Sequence, residues 1–198
     1  MAIADARAAA ILVAGPPASG KTTVGASLAQ ALGATLIDQD VATGQLLSVV
    51  ESLVHVDDID DPRLAKLTRV ARYETITCLA EDNLRVGNSV LLVAPFSEER
   101  KSLHAWEMLF DRLQRAADGT VTMVWLYLSR DELLRRLRGR AADRDASKLR
   151  AERRFIDQVD LGPPVGPHIP IHAVGSVDQI VRAIIRQLRV DSALPSTT

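Results

Sequence analysis

Short unbroken apolar runs alternate along this chain with longer stretches in which apolar residues recur every three or four positions. The runs lie at residues 10–14, 35–37, 89–94, 121–128 and 169–174. A run such as Val90-Leu91-Leu92-Val93, with no polar alternation, predicts a strand buried on both faces. Between the runs, Leu64, Leu67, Ala71, Thr75 and Cys78 fall at helical spacing and predict a helix burying that stripe. Helix ends are also marked. Asp61 before Pro62 is a cap-then-proline start, and Gly87 closes the same helix. Ser97 precedes Glu98 and Glu99, Ser129 precedes Asp131 and Glu132, and Ser176 precedes Asp178. Each pair places a hydroxyl cap ahead of carboxylates that complement a helix N-terminus. Five strands alternating with helices predict an α/β fold, a parallel sheet with helices on both faces. No repeat or long linker divides the chain, so residues 1–190 are expected to form a single domain and residues 191–198 a frayed tail.

Composition narrows the reading only slightly. Aromatic residues are 4% of the 198 positions, so the core must be built from Ala, Val, Leu and Ile. A formal charge of −1 supplies no general attraction to nucleic acid or to a membrane. A single cysteine, Cys78, cannot form an internal disulfide; it implies a reducing compartment and is expected in the core. No apolar run approaches the roughly 18 residues of a membrane span. The Ala-rich start runs straight into a glycine loop that signal cleavage would destroy, so a cytoplasmic location is expected. His55, His104, His168 and His172 lack metal-ligand spacing, and the acidic run at 57–61 lacks the glycine and closing Glu of a calcium loop.

The glycine loop reads GPPASGKTT: Gly15, Pro16, Pro17, Ala18, Ser19, Gly20, Lys21, Thr22 and Thr23. It satisfies Gly-x-x-x-x-Gly-Lys-Thr between a strand and a helix, the pattern of a phosphate-binding loop. The glycines allow a tight turn whose N–H groups face phosphate oxygens, and the helix adds its positive end. Lys21 would reach the β- and γ-phosphates, and the Thr22 hydroxyl would ligate Mg²⁺. ATP and Mg²⁺ are therefore the expected cofactors.

Two kinds of phosphate-loop protein are disfavoured. A guanine-reading Asn-Lys-x-Asp element is absent, since neither Asn83 nor Asn88 precedes Lys. The buried run 90–93 ends in Ala-Pro-Phe without the acidic pair of a motor ATPase. Asp38-Gln39-Asp40, at the end of the second strand, faces the ligand crevice of such a sheet. Residues two apart on extended chain share a face, so both carboxylates are expected to point at the γ-phosphate. One would orient a Mg²⁺-bound water while the other accepts the proton of an attacking hydroxyl. Nine of the twenty residues from 135 to 154 are Lys or Arg, interrupted by Gly139. This segment suits an arginine-bearing lid at about 139–150, with Arg140 and Arg144 as its working charges. Arg135, Arg136, Arg150, Arg153 and Arg154 are expected mostly at the surface. No aromatic residue interleaves the island, so nucleic acid is not the expected partner.

GPPASGKTT, the DQD of 38–40, the APFSEER of 94–100 and the RLRGRAADRDASKL of 136–149 together resemble the small P-loop kinases. That group includes shikimate and gluconate kinases, antibiotic phosphotransferases and polynucleotide 5′-hydroxyl kinases. The likeness is greatest to its "AAA domain" ATP-binding kinases. The resemblance implies a three-layer fold with strand order 2-3-1-4-5 and a lid after the fourth strand. It makes Asp40 the catalytic base and gives Asp38 a share in holding the metal. Two positions depart from the group's pattern. Val93 stands where relatives often carry Asp, and no Arg lies three residues before Glu74 as shikimate kinases require. Arg72 and Tyr73 are candidates for the acceptor pocket, although a solvent-facing Arg and a packed Tyr are the plainer roles. The reading is an ATP-dependent phosphotransferase acting on a hydroxyl of a small metabolite or antibiotic. A nucleic-acid 5′-hydroxyl kinase and a non-catalytic ATP-binding regulator are the alternatives.

Overall fold

The computed structural model describes residues 7–55, 62–141 and 159–193. In chain order the elements are β1 (Ala10–Ala14), α1 (Lys21–Leu32), β2 (Thr35–Asp38), α2 (Gln39–Val54) and α3 (Pro62–Arg85). They continue as β3 (Val90–Val93), α4 (Leu103–Ala116), β4 (Val121–Tyr127), α5 (Arg130–Ala141), β5 (Ile169–His172) and α6 (Val177–Ala193). All five strands are parallel in the order β2-β3-β1-β4-β5. The order that the family resemblance implied is the order found.

The strands separate two apolar layers. Ile11, Val13, Leu91, Val93, Val124 and Leu126 pack with Val24 and Leu28 of α1 and Ile180 and Ile184 of α6. Leu12, Ala14, Leu92, Met123 and Trp125 point the other way, against Ile76, Ala80 and Leu84 of α3 and Leu113 of α4. Both faces of β1 and β3 are thereby buried, which explains their uninterrupted aliphatic sequence. Gly25 of α1 lies flat on the sheet, where a Cβ would stand 2.5 Å from Val93 Cγ2.

Several local expectations differ from the structure. Ser97 caps no helix; residues 97–101 form a turn in which the N–H groups of Lys101 and Ser102 both bond the Glu98 carbonyl. Ser102 takes over as the cap of α4, its hydroxyl accepting from the Ala105 N–H at 3.2 Å. Ser129 and Ser176 do cap, each accepting from the N–H three residues on. Along α3 the buried stripe is Leu64, Thr68, Ile76, Thr77, Ala80 and Leu84, while Leu67, Ala71 and Cys78 are exposed. Cys78 is therefore not a core residue, and its Sγ lies 3.4 Å from Arg112 Nη2. The stripe is rotated because α3 must also bury Glu81, which Arg112 of α4 grips through two hydrogen bonds of 2.9 and 3.0 Å. Those bonds hold the Glu81 carboxyl below its usual range. The final helix extends to Ala193, three residues into the segment expected to fray. The acidic run at 57–61, most of the expected lid including Arg144, and residues 194–198 lie outside the described residues. Among the described residues no helix is long and apolar enough to cross a membrane.

The turn after β3 also anchors the chain that returns to β5. Arg100 is buried beneath this turn, stacked 5.0 Å from the Trp125 ring. Its guanidinium donates to the Gly162 carbonyl and to Asp160 Oδ2, and its own carbonyl accepts from Val165. The Gly162 N–H, together with Lys101 and Arg100, lowers the Asp160 carboxyl to about 2.

Candidate active site

The carboxyl ends of the strands form one edge, and the chain's chemistry-bearing residues gather along it. Register sets Asp38 of β2 level with Val93 of β3, and Val93 level with Val13 of β1. Asp38 thus lies two strands, about 10 Å, from the strand that feeds the glycine loop.

The loop itself is tightly specified. Gly15 is required by space: a Cβ there would stand 2.6 Å from Ser19 Oγ and 2.7 Å from the Leu126 carbonyl oxygen. Gly20, at φ 88°, is the N-cap of α1, and Ala18 also takes a left-handed conformation at φ 59°. The Ser19 N–H closes the turn on the Pro16 carbonyl at 3.2 Å, and the Val24 N–H bonds the Gly20 carbonyl at 2.9 Å. Lys21 opens α1 and lays its Nζ back across the loop, 3.0 Å from the Pro16 carbonyl. Thr22 and Thr23 follow on the exposed first turn, while Gly15 and Pro16 are buried and Pro17 is exposed. Ser19 Oγ is buried without a hydrogen-bond partner. A buried hydroxyl without a partner costs about 1–3 kcal/mol, so a ligand that supplies one is favoured here.

Asp38 and Asp40 do not share a face. The second helix begins at Gln39, so Asp38 becomes its N-cap and Asp40 falls in its first turn. Extended geometry, on which the shared-face expectation rested, ends one residue too early. Asp38 is buried; its Oδ1 accepts from the N–H groups of Asp40 at 2.9 Å and Val41 at 3.4 Å. Its Oδ2 is buried with no partner, a carboxylate oxygen available to a cation. Asp40 has a side chain 83% exposed and paired with Arg72 of α3 at 2.5 Å. Arg72 in turn donates through Nε to Thr43 Oγ1, whose hydroxyl bonds the Gln39 carbonyl. Arg72 is therefore held at the site rather than facing solvent. Tyr73 packs edge-on against Phe96 with Arg69 over its ring, and burial, aided by Glu99, pushes its phenol up to about 12. Its hydroxyl is buried beside the backbone of Ser97 and Phe96.

Val93, which stands where the kinases this chain resembles often carry Asp, is 3% exposed and faces Gly25 of α1. Among the described residues no group of three His, Cys, Asp or Glu could hold a metal ion by itself. The Thr22 hydroxyl and the open oxygen of Asp38 suit a cation that takes most of its ligands from phosphate and water.

Arg140 lies near the C-terminal end of α5. Arg136, expected at the surface, is not there. From α5 its Nη1 donates to the Ala18 carbonyl at 3.1 Å and the Ser19 carbonyl at 3.2 Å, and its Nη2 donates to the Ala173 carbonyl after β5. Glu132 lies one helical turn back, with Oε1 3.7 Å from Arg136 Nε. The spacing of Glu132 and Arg136 was visible in the sequence, but not the loop that Arg136 reaches.

Residues 11–160 match the family described as "AAA domain". No curated protein sequence matches the chain. Among solved structures, it is similar to a gluconokinase from Sinorhizobium meliloti 1021, at 20% identity and TM-score 0.56 over 93% of each chain. It is similar to APS kinase of Mycobacterium tuberculosis in complex with AMPPNP and APS, at 17% identity and TM-score 0.59, over 93% of this chain and 99% of that one. Shikimate kinase of Aquifex aeolicus VF5 has 18% identity and TM-score 0.54, over 92% of this chain and 97% of its own. The shared feature is the α/β fold of P-loop kinases.

Proposed function

The chain belongs to the AAA-domain family, and from that footing we propose that it transfers the γ-phosphate of ATP to a hydroxyl of a small molecule. The observation that carries the reading is the strand-edge arrangement. A loop closed to any side chain at Gly15 and a buried Asp38 with one oxygen open lie on the same strand-end edge, two strands apart.

In this reading the N–H groups at the start of α1 bind the phosphates, and Lys21 leaves the Pro16 carbonyl to bridge the β- and γ-groups. Thr22 and Asp38 Oδ2 would hold Mg²⁺, whose charge offsets that of the phosphate oxygens. Arg72 orients the Asp40 carboxylate, which accepts the proton of the acceptor hydroxyl. As the hydroxyl oxygen bonds to the γ-phosphorus, the bond to the β–γ bridging oxygen breaks and ADP departs. Arg140 and Arg144 would add positive charge toward the transferred group. The gluconate, shikimate and APS kinases of similar fold favour a small hydroxylated acceptor.

The test is transfer of labelled γ-phosphate into a panel of sugars, sugar acids, hydroxylated amino acids, nucleosides, aminoglycosides and a 5′-hydroxyl oligonucleotide. Asp40→Asn serves as control. Label should enter one small-molecule pool and fall by about 10²–10⁴-fold in the variant, the usual range for a lost general base. Slow hydrolysis alone, unchanged by Asp40→Asn, would sink the assignment.

A further inference from the structure

We propose that Arg136 holds the phosphate loop in its anion-binding shape, as a positioning residue acting from α5; the inference rests on the phosphate-loop reading above. In a trans peptide the C=O and N–H point in opposite directions. The Ala18 carbonyl shares a peptide with the Ser19 N–H, and the Ser19 carbonyl shares one with the Gly20 N–H. Arg136 Nη1 holds both carbonyls from outside, at 3.1 and 3.2 Å. Both N–H groups are thereby turned away from the guanidinium, toward the inside of the loop. The Ser19 N–H meets the Pro16 carbonyl there, which tightens the turn.

The loop needs such a hold. Ala18 sits at φ 59°, a conformation an L-residue with a Cβ resists, and its carbonyl is one of the two that Arg136 grips. The grip is itself built in. Glu132 is buried and capped through its N–H by Ser129; its Oε2 accepts a hydrogen bond from Arg135, and its Oε1 lies 3.7 Å from Arg136 Nε. Nη2 is fixed on the Ala173 carbonyl, so one planar group spans the loop, α5 and the end of β5. A lysine ammonium carries the same charge but not that flat, divergent set of donors.

The experiment measures binding of inorganic tripolyphosphate and of AMPPNP, by calorimetry, to the wild-type chain, Arg136→Lys and Arg136→Met. Thermal melts of all three run alongside. Both variants should bind tripolyphosphate about 10- to 100-fold more weakly, the scale of lost hydrogen bonds from a charged donor. AMPPNP should weaken by the same factor, because the effect passes through the loop. Arg136→Lys should melt within a few degrees of wild type, which separates loop shape from global stability. Tripolyphosphate binding that is unchanged in Arg136→Met, with AMPPNP alone weakened, would overturn the inference, because Arg136 would then read the nucleoside. Wild-type affinity in Arg136→Lys would overturn it too, since charge alone would suffice. Failure of the wild-type chain to bind either ligand would remove the phosphate-loop reading and this inference with it.

Discussion

Gly25 and Val93 form a pair whose energetics can be worked from the structure. Gly25 lies inside α1, where alanine would ordinarily stabilise a helix by about 1 kcal/mol over glycine. A Cβ at that point, however, would stand 2.5 Å from Val93 Cγ2 and 3.4 Å from Leu91 Cδ2, both in the sheet beneath. Overpacking of that kind costs about 1–3 kcal/mol, so Gly25→Ala should be destabilising by about 1 kcal/mol net. Val93→Ala removes two buried methyl groups at about 0.8 kcal/mol each and leaves a small cavity, for a loss of about 2 kcal/mol. In the double variant the new Cβ of residue 25 occupies the space that residue 93 vacates. Its loss should be about 1 kcal/mol, against about 3 for the sum of the singles, a favourable coupling of about 2 kcal/mol. Urea denaturation followed by circular dichroism gives all four corners of the cycle. Because α1 carries Lys21 and Thr22, AMPPNP affinity should fall in Gly25→Ala and recover in the double variant. Additivity within about 0.5 kcal/mol would refute the reasoning, since it would mean that α1 and β3 do not share this space.

Two further outcomes are expected. Asp38→Asn keeps an oxygen able to cap α2 but removes the charge from the open position, so stability should hold within about 0.5 kcal/mol. The gain in AMPPNP affinity from added Mg²⁺ should shrink by about 10- to 100-fold, and an undiminished gain would remove Asp38 from the metal's surroundings. Asp160, lowered to about 2 by the Gly162 N–H and by Lys101 and Arg100, stabilises the fold above pH ~4 and loses that contribution as pH falls toward 2. Its side chain is 41% exposed, so solvent screening limits the effect to under about 1 kcal/mol. Asp160→Asn should flatten the stability curve between pH 4 and pH 2; parallel curves for the two proteins would contradict the assignment.

What the sequence revealed, and what it hid, follows from the range of the forces involved. The five strands were readable because a parallel strand covered on both faces must be apolar throughout, and 90–93 has no other use for four aliphatics. The tight glycine turn was readable because Gly20 answers a local demand of backbone angle, and Gly15 one of space against Ser19 as well as the distant Leu126. Failures began where a long-range partner decided the outcome. The buried face of α3 includes Thr68, Thr77 and Glu81, polar residues that break an apolar stripe, and Arg112 on another helix, with Arg85 one turn on, makes Glu81 admissible there. Asp38 and Asp40 looked like a pair on a strand because the first turn of α2 carries no signal stronger than Asp38 itself, which is its cap. Arg136 was one basic residue among many, and what sets it apart is two carbonyls more than a hundred positions earlier in the chain.

The placement of β1 has a consequence for how the molecule comes into being. Ala10 pairs in register with Val90 on one side and Val121 on the other, so neither flank of the strand can close until much later chain has been synthesised. Contacts of that sequence separation are slow to form, because the intervening chain must first surrender its freedom. During synthesis β1 waits as an apolar segment with two open edges, the situation in which nascent chains mispair or need a chaperone. The glycine loop that follows it depends on Leu126 for one wall and on Arg136 for its outer hold. The glycine loop is thus translated before the segments that give it its shape. Nucleotide bound as proposed would assist only the final steps of maturation, after β4 has joined the sheet and α5 has packed beside the loop.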